Sequence, residues 1–81
     1  MASPQYSVVP ENVSNMVQKG VSPLKAWREY KELSVDEMAL RLDVSSSVYE
    51  QAEEAKNLGL TTLQKAAIAL GVEYDQLKDL Y

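Results

Sequence analysis

Between Ser45 and Glu54 the chain reads SSSVYEQAEE, gathering three serine hydroxyls, one phenol, one side-chain amide and three carboxylates within ten residues. The chemistry open to them is narrow. The 81 residues contain no His and no Cys, so the commonest general base, the thiolate nucleophile and the commonest metal ligands are all missing. No serine has a partnered base at a recognisable spacing, and an enzyme is not indicated. Glu50, Glu53 and Glu54 on one short helix read as a solvated face rather than a metal site. No glycine-rich phosphate loop is present, so neither a nucleotide nor any other cofactor is implied. What remains is recognition of another molecule through hydrogen bonds.

Two short helices must position these groups. Ser34 is followed three residues later by Glu37, a capping box that starts a helix carrying Met38, Ala39 and Leu42 on one apolar stripe, with Leu40 and Arg41 more outward. Asp43 falls where the chain needs a left-handed residue to stop, which Asp tolerates less well than Gly or Asn but better than most. Val44 then supplies an apolar plug. Ser45 is a strong N-cap for a second helix, reaching to about Lys56, with Val48, Tyr49 and Ala52 facing inward. A helix, a tight turn and a second capped helix make a helix-turn-helix unit.

The flanking segments supply the support. Met1 to Pro10 alternates Tyr6, Val8 and Val9, and reads either as a frayed arm or as a short extended strand that pairs with another copy. Pro10 to Lys19 reads as a short covering helix with Val13, Met16 and Val17 on one face and Gly20 after its end. Ser22 and Pro23 open the next helix, whose buried side carries Leu24, Trp27 and Tyr30. After a loop at AKNLGL, Thr61 and Gln64 form a second capping box, opening a helix with Leu63, Ala66, Ala67 and Leu70 inward and Gly71 at its end. Glu73 to Leu80 forms a last helix, with Leu77 assigned to the core and Leu80 and Tyr81 to a self-association surface. The reading is therefore all-α, a compact bundle of five to six short helices, divided into residues 1–21 (arm and covering helix) and 22–81 (helix-turn-helix domain).

Two stretches, LKAWREYKELSVDEMALRLDVSSS and TTLQKAAIALGVEYDQL, carry a more specific signal. The first follows the pattern Leu-x-x-x-Arg-x-x-x-x-Leu-Ser/Thr-x-x-Glu-hydrophobic-Ala, and the second follows Leu-x-x-hydrophobic-Ala-x-Ala-Leu-Gly-Val. Residues 24 to 80 thus resemble the phage-repressor and Cro-like (XRE-type) helix-turn-helix domain, a lambda-repressor-like fold. The resemblance implies that Arg28 and Glu53 form a partly buried ion pair holding the first helix of the domain against the second helix of the pair. It also implies that this second helix lies in the major groove of double-stranded DNA, with base-reading positions at Ser46, Ser47 and Gln51, and Glu50 at the groove mouth. Gln51 can meet an adenine edge bidentately, and Ser can bond to several bases. Ser45 and the start of the preceding helix would contact phosphate.

Charge runs against this picture in one respect. The net charge is −4, and it is unevenly spread: residues 1–31 hold four cations against two carboxylates, whereas from residue 32 onward Arg41, Lys56, Lys65 and Lys78 face ten carboxylates. Phosphate affinity comes from Lys and Arg, so a Glu-rich helix at the groove weakens it. Lys25, Lys31, Arg41 and Lys56 would compensate from the rims, and a homodimer would double every contact. Val35 also stands where the family often has a backbone-clamping Gln, and Ser46 and Ser47 where it often has Arg or Gln. Two functions follow. The first is a dimeric DNA-binding regulator, a repressor or the antitoxin of a toxin pair. The second is a scaffold of the same fold whose acidic helix meets a protein partner, such as a toxin or another regulator. The lack of a membrane-length apolar run, a signal-peptide pattern or any Cys leads to an expectation of a soluble, cytoplasmic protein with no membrane partner.

Overall fold

Serine hydroxyls start three of the helices that matter most. The computed structural model describes residues 8–81, and among them the order is α1 Glu11–Gln18, α2 Pro23–Tyr30, α3 Val35–Leu42, α4 Ser46–Glu54, α5 Leu60–Leu70 and α6 Tyr74–Lys78. Ser22 Oγ accepts the Lys25 amide at 3.2 Å and Pro23 opens α2. Ser34 Oγ accepts the Glu37 amide at 3.0 Å while Glu37 Oε1 accepts the Ser34 amide at 2.9 Å, completing the box at α3. Ser45 Oγ accepts the Val48 amide at 3.1 Å and sets the start of α4. Each bond satisfies a helix-start amide that would otherwise lack a partner.

The expected box at Thr61 does not open α5. The helix starts at Leu60 with Gly59 as N-cap and no side-chain cap, which places Thr61 inside the first turn. Gly serves at this position almost as well as Ser or Thr, and the earlier start adds a bond from the Leu63 amide to the Gly59 carbonyl at 2.9 Å.

Four helices end in the same way. At Gly20, Glu32, Asp43 and Gly71 the backbone turns left-handed, with φ of 102°, 59°, 59° and 77°. The next residue's amide reaches back to a carbonyl in the preceding turn: Val21 to Met16, Leu33 to Arg28, Val44 to Ala39 and Val72 to Ala67, each at 3.0 Å. This is the Schellman arrangement, which normally brings the following apolar residue back onto the helix. Val21, Leu33 and Val72 pack on the core. Val44, expected as a plug, remains 41% exposed.

One core draws on every helix. Val13 of α1, Leu24 and Trp27 of α2, Met38 of α3, Tyr49 of α4 and Leu77 of α6 are fully or almost fully buried. The inner face of α5 supplies Leu63, Ala66, Ala67 and Leu70, whose small alanines let α2, α3 and α6 approach closely. Trp27 Nε1 donates to the Gln76 carbonyl at 2.9 Å, so its indole bridges α2 and α6 without losing a hydrogen bond.

Several apolar residues lie elsewhere than their spacing suggests. Tyr30 is 43% exposed and meets the Trp27 ring edge-on, with centroids 5.8 Å apart. Leu80 and Tyr81, assigned to a self-association surface, pack on the core. The Tyr81 hydroxyl accepts the Leu24 amide at 3.2 Å and so closes the start of α2. The reading of Met1–Pro10 as an arm or strand lies, up to Ser7, outside the described residues. Val8 is exposed, and its carbonyl accepts a bond from Gln76 Nε2. No helix among the described residues is long and apolar enough to cross a membrane.

Candidate nucleic-acid interface

The orientation of α4 is set by what it buries. Tyr49 and Glu53, one turn apart, form its inner edge, and Ala52 is half-buried beside them. Glu53 is held by Arg28 from α2: Arg28 Nε donates to Glu53 Oε2 at 2.5 Å, and Nη2 donates to Oε1 at 3.4 Å. The remaining Arg28 nitrogen, Nη1, donates to the Leu33 carbonyl at 3.0 Å. The two side chains are 12% and 8% exposed. The hydrogen bond to Glu53 raises the Arg28 pKa above its ordinary value, so the guanidinium stays charged. Because Glu53 turns inward, the three carboxylates of α4 do not share one face.

Tyr49 completes this buried group. Among the described residues its hydroxyl has no hydrogen-bond partner. Burial, reinforced by the nearby Glu53 carboxylate, pushes its pKa far above the usual phenol range.

With that inner edge fixed, the opposite side of α4 faces outward. Ser47 and Gln51, one turn apart, are both exposed there. Ser45 is exposed, with its hydroxyl engaged as the cap. Ser46 is half-buried, and its hydroxyl donates to Asp36 Oδ1 in the first turn of α3, which binds the starts of the two helices together. Glu50 is exposed on one shoulder of the outer face. Val48, expected inside, is 51% exposed on the other. The geometry explains the exposure: Tyr49 and Glu53 define the inner edge, and Val48 lies too far round the helix to follow them.

The cations are dispersed. Lys25 and Lys56 line one groove, shared with Glu50 and Glu54 and floored by Arg28 and Glu53. Lys56 lies beyond the helix it was expected to close, because α4 ends at Glu54 and Ala55 adopts an extended conformation. Lys31 is at the C-cap of α2, outside that groove. Arg41 is drawn elsewhere: its Nη1 donates to the Ala69 carbonyl at 2.8 Å, placing the cation at the negative end of α5. The geometry thus brings Ser47, Gln51 and Val48 onto one outer face, sets Lys25 and Lys56 together beside it, and leaves Lys31 and Arg41 apart.

Sequence reasoning missed Asp36, Val48 and the Arg41–Ala69 bond. The contact between Asp36 and Ser46 had one available signal, since a helix-turn-helix brings the start of its first helix towards the start of its second. Nothing in the local sequence pairs Arg41 with a carbonyl 28 residues away.

A family model described as helix-turn-helix matches residues 24–77, about two thirds of the chain and spanning α2 to α6. The chain belongs to the XRE-type helix-turn-helix family. Comparison with curated proteins and with solved structures returned no match. Within this family α3 and α4 are the helix-turn-helix pair, with Asp43 and Val44 at the turn and α4 as the second helix. The matched segment begins at Leu24 and ends near Leu77, both fully buried, and α1 precedes it while contributing Val13 to the same core. Membership makes the chain, in general terms, a helix-turn-helix DNA-binding regulator.

Proposed function

We propose that this chain is a sequence-specific transcriptional regulator of the repressor or antitoxin type, acting as a homodimer on two-fold symmetric double-stranded DNA. The observation that carries this reading is the exposure of Ser47 and Gln51 one turn apart on the side of α4 opposite the Arg28–Glu53 pair. In a helix-turn-helix domain the second helix enters the major groove, with its N-terminal residues at the base edges. A Gln there can bond adenine bidentately, and a Ser can bond several bases. Ser46, bound to Asp36, would steady the helix start, and Ser45 would remain its cap. Lys25 and Lys56 would approach phosphate from the rim, with Lys31 further round. Arg41 would contribute to the field rather than by contact, since it is bonded to α5.

The acidic shoulder sets the expected strength. From Val35 to Glu54 there are six carboxylates and one Arg, so binding to an arbitrary duplex should be weak and the preference for a particular site should rest on base contacts. The test is selection of bound duplexes from a random pool, followed by titration of the winner at two salt concentrations. A symmetric consensus with half-sites about 34 Å apart, roughly one helical turn, supports the dimeric regulator. Absence of enrichment at low salt overturns it.

The same acidic shoulder favours a second reading, in which the fold meets a basic protein partner, a toxin or another regulator, through Glu50 and Glu54. Affinity for such a partner would survive Gln51→Ala and fall with Glu50→Lys, the reverse of the pattern expected for DNA.

A further inference from the structure

Ser47 and Gln51 share the outer side of α4 with one apolar residue. Val48 is 51% exposed and does not pack on the core. Its place is fixed from two directions. Its amide donates to Ser45 Oγ at 3.1 Å, and the next residue, Tyr49, is almost completely buried. Rolling α4 to hide Val48 would lift Tyr49 from the core and draw Glu53 away from Arg28, so the exposure follows from the packing of the inner edge. Within a helix the χ1 angle of Val is held largely in one rotamer, so its methyl groups keep a fixed direction. Gln51 lies three residues further on, close enough for the two side chains to meet adjacent base pairs.

Among the groups that the four bases present in a major groove, the C5-methyl of thymine offers an apolar contact, which a Val side chain matches. We infer that Val48 is a specificity-determining residue that packs on a thymine methyl in each half-site, beside the base edge met by Gln51. The inference rests on the reading of α4 as the helix that enters the groove. It adds a base identity and a contact type that Ser47 and Gln51 do not supply, and it removes Val48 from water when DNA is bound. It also suits a helix poor in cations, because an apolar contact gains nothing from phosphate and is little affected by salt.

The experiment uses the whole chain and the duplex that it selects from a random pool. Each thymine of that duplex is replaced singly by deoxyuridine, which removes the methyl group and nothing else. At one position per half-site the wild-type protein should lose about fourfold in affinity, the value of burying one methyl-sized group. Val48→Ala, which removes the contact from both half-sites of the dimer, should lose about the square of that factor, roughly sixteenfold, on the thymine duplex and show no further loss on the deoxyuridine duplex at that position. Its thermal midpoint should match the wild type, since the side chain is outside the core. A consensus without thymine, a duplex indifferent to deoxyuridine at every position, or a Val48→Ala protein that keeps the full deoxyuridine effect would each overturn the inference while leaving the regulator reading intact. Failure to select any duplex would overturn both.

Discussion

Arg28 of α2 and Glu53 of α4 meet below the surface at 2.5 Å, and Arg28 also holds the Leu33 carbonyl at 3.0 Å, so one guanidinium joins α2, the turn that follows it and α4. Loss of either partner leaves the other charge buried without compensation. Arg28→Ala and Glu53→Ala should each lower unfolding stability by about 3–5 kcal/mol, and the double variant Arg28→Ala with Glu53→Ala should cost much less than the sum. Urea denaturation of the four proteins gives the coupling energy. Strict additivity would show that the pair is not energetically joined.

Asp43 and Glu32 occupy left-handed positions that Gly fills at two other helix ends. An L-residue there costs roughly 1–2 kcal/mol, part of which Gly returns as greater backbone freedom in the unfolded chain. Asp43→Gly and Glu32→Gly should therefore each stabilise the fold by about 0.5–1 kcal/mol. Thermal melts at neutral pH read the effect directly. A lowered midpoint for Asp43→Gly would mean that its carboxylate has a stabilising partner outweighing the strain.

The unpartnered hydroxyl of Tyr49 yields a prediction about alkaline pH. Its folded pKa is raised by burial, whereas the unfolded phenol ionises near ~10. A raised folded pKa means that its contribution to stability is complete below that unfolded value and declines as pH climbs above it, since only the unfolded chain then releases the proton. Stability should begin to fall above about pH 10, with a slope approaching ~1.4 kcal/mol per pH unit for this residue. Tyr49→Phe should reduce that slope, leaving a part due to Tyr81, whose burial also raises its phenol. At neutral pH the same substitution should stabilise by about 1 kcal/mol, because an unsatisfied buried hydroxyl is removed.

On the outer side of α4, two substitutions separate base contact from field. Gln51→Ala should reduce affinity for the selected duplex by about 1–3 kcal/mol and relax preference at one position per half-site. Glu50→Lys should strengthen binding to all duplexes and steepen the dependence on salt by about one counterion per subunit. Electrophoretic or anisotropy titrations at two salt concentrations distinguish these outcomes. An unchanged affinity for Gln51→Ala would remove α4 from the groove.

Arg41→Met tests a residue that the structure binds to α5. The substitution keeps most of the aliphatic stem and removes the donor to the Ala69 carbonyl. A stability loss of about 1 kcal/mol with an unchanged salt slope is expected. A shallower slope would place the cation near phosphate instead.

Much of the fold was readable because its decisive signals are local. Ser22 with Pro23, Ser34 with Glu37, and Ser45 lie within three residues of the amides they satisfy, and the left-handed stop at Asp43 follows from helix length. Glu32 escaped notice because a Glu carries no mark of positive φ, and only the return of Leu33 to the Arg28 carbonyl reveals the turn. The start of α5 was misplaced because two N-cap positions only two residues apart, Gly59 and Thr61, were both available. Of the candidate site, the outward placement of Ser47, Glu50 and Gln51 agrees with what the family resemblance implies, but the exposure of Val48 and the half-burial of Ser46 were not visible in the sequence. The exposure of Val48 depends on Tyr49 and Glu53 being gripped by other helices, and Arg41 and Ser46 have partners 28 and ten residues away.

Trp27 is the chain's single tryptophan, 2% exposed, with its indole nitrogen committed to a backbone carbonyl of α6. The molecule therefore carries one built-in optical reporter, placed in the core rather than on the outer side of α4. Its emission should move to longer wavelength when α2 and α6 separate. A ligand resting only on Ser47 and Gln51 should leave it still, so a spectral change on adding a partner would signal a rearrangement of the bundle itself.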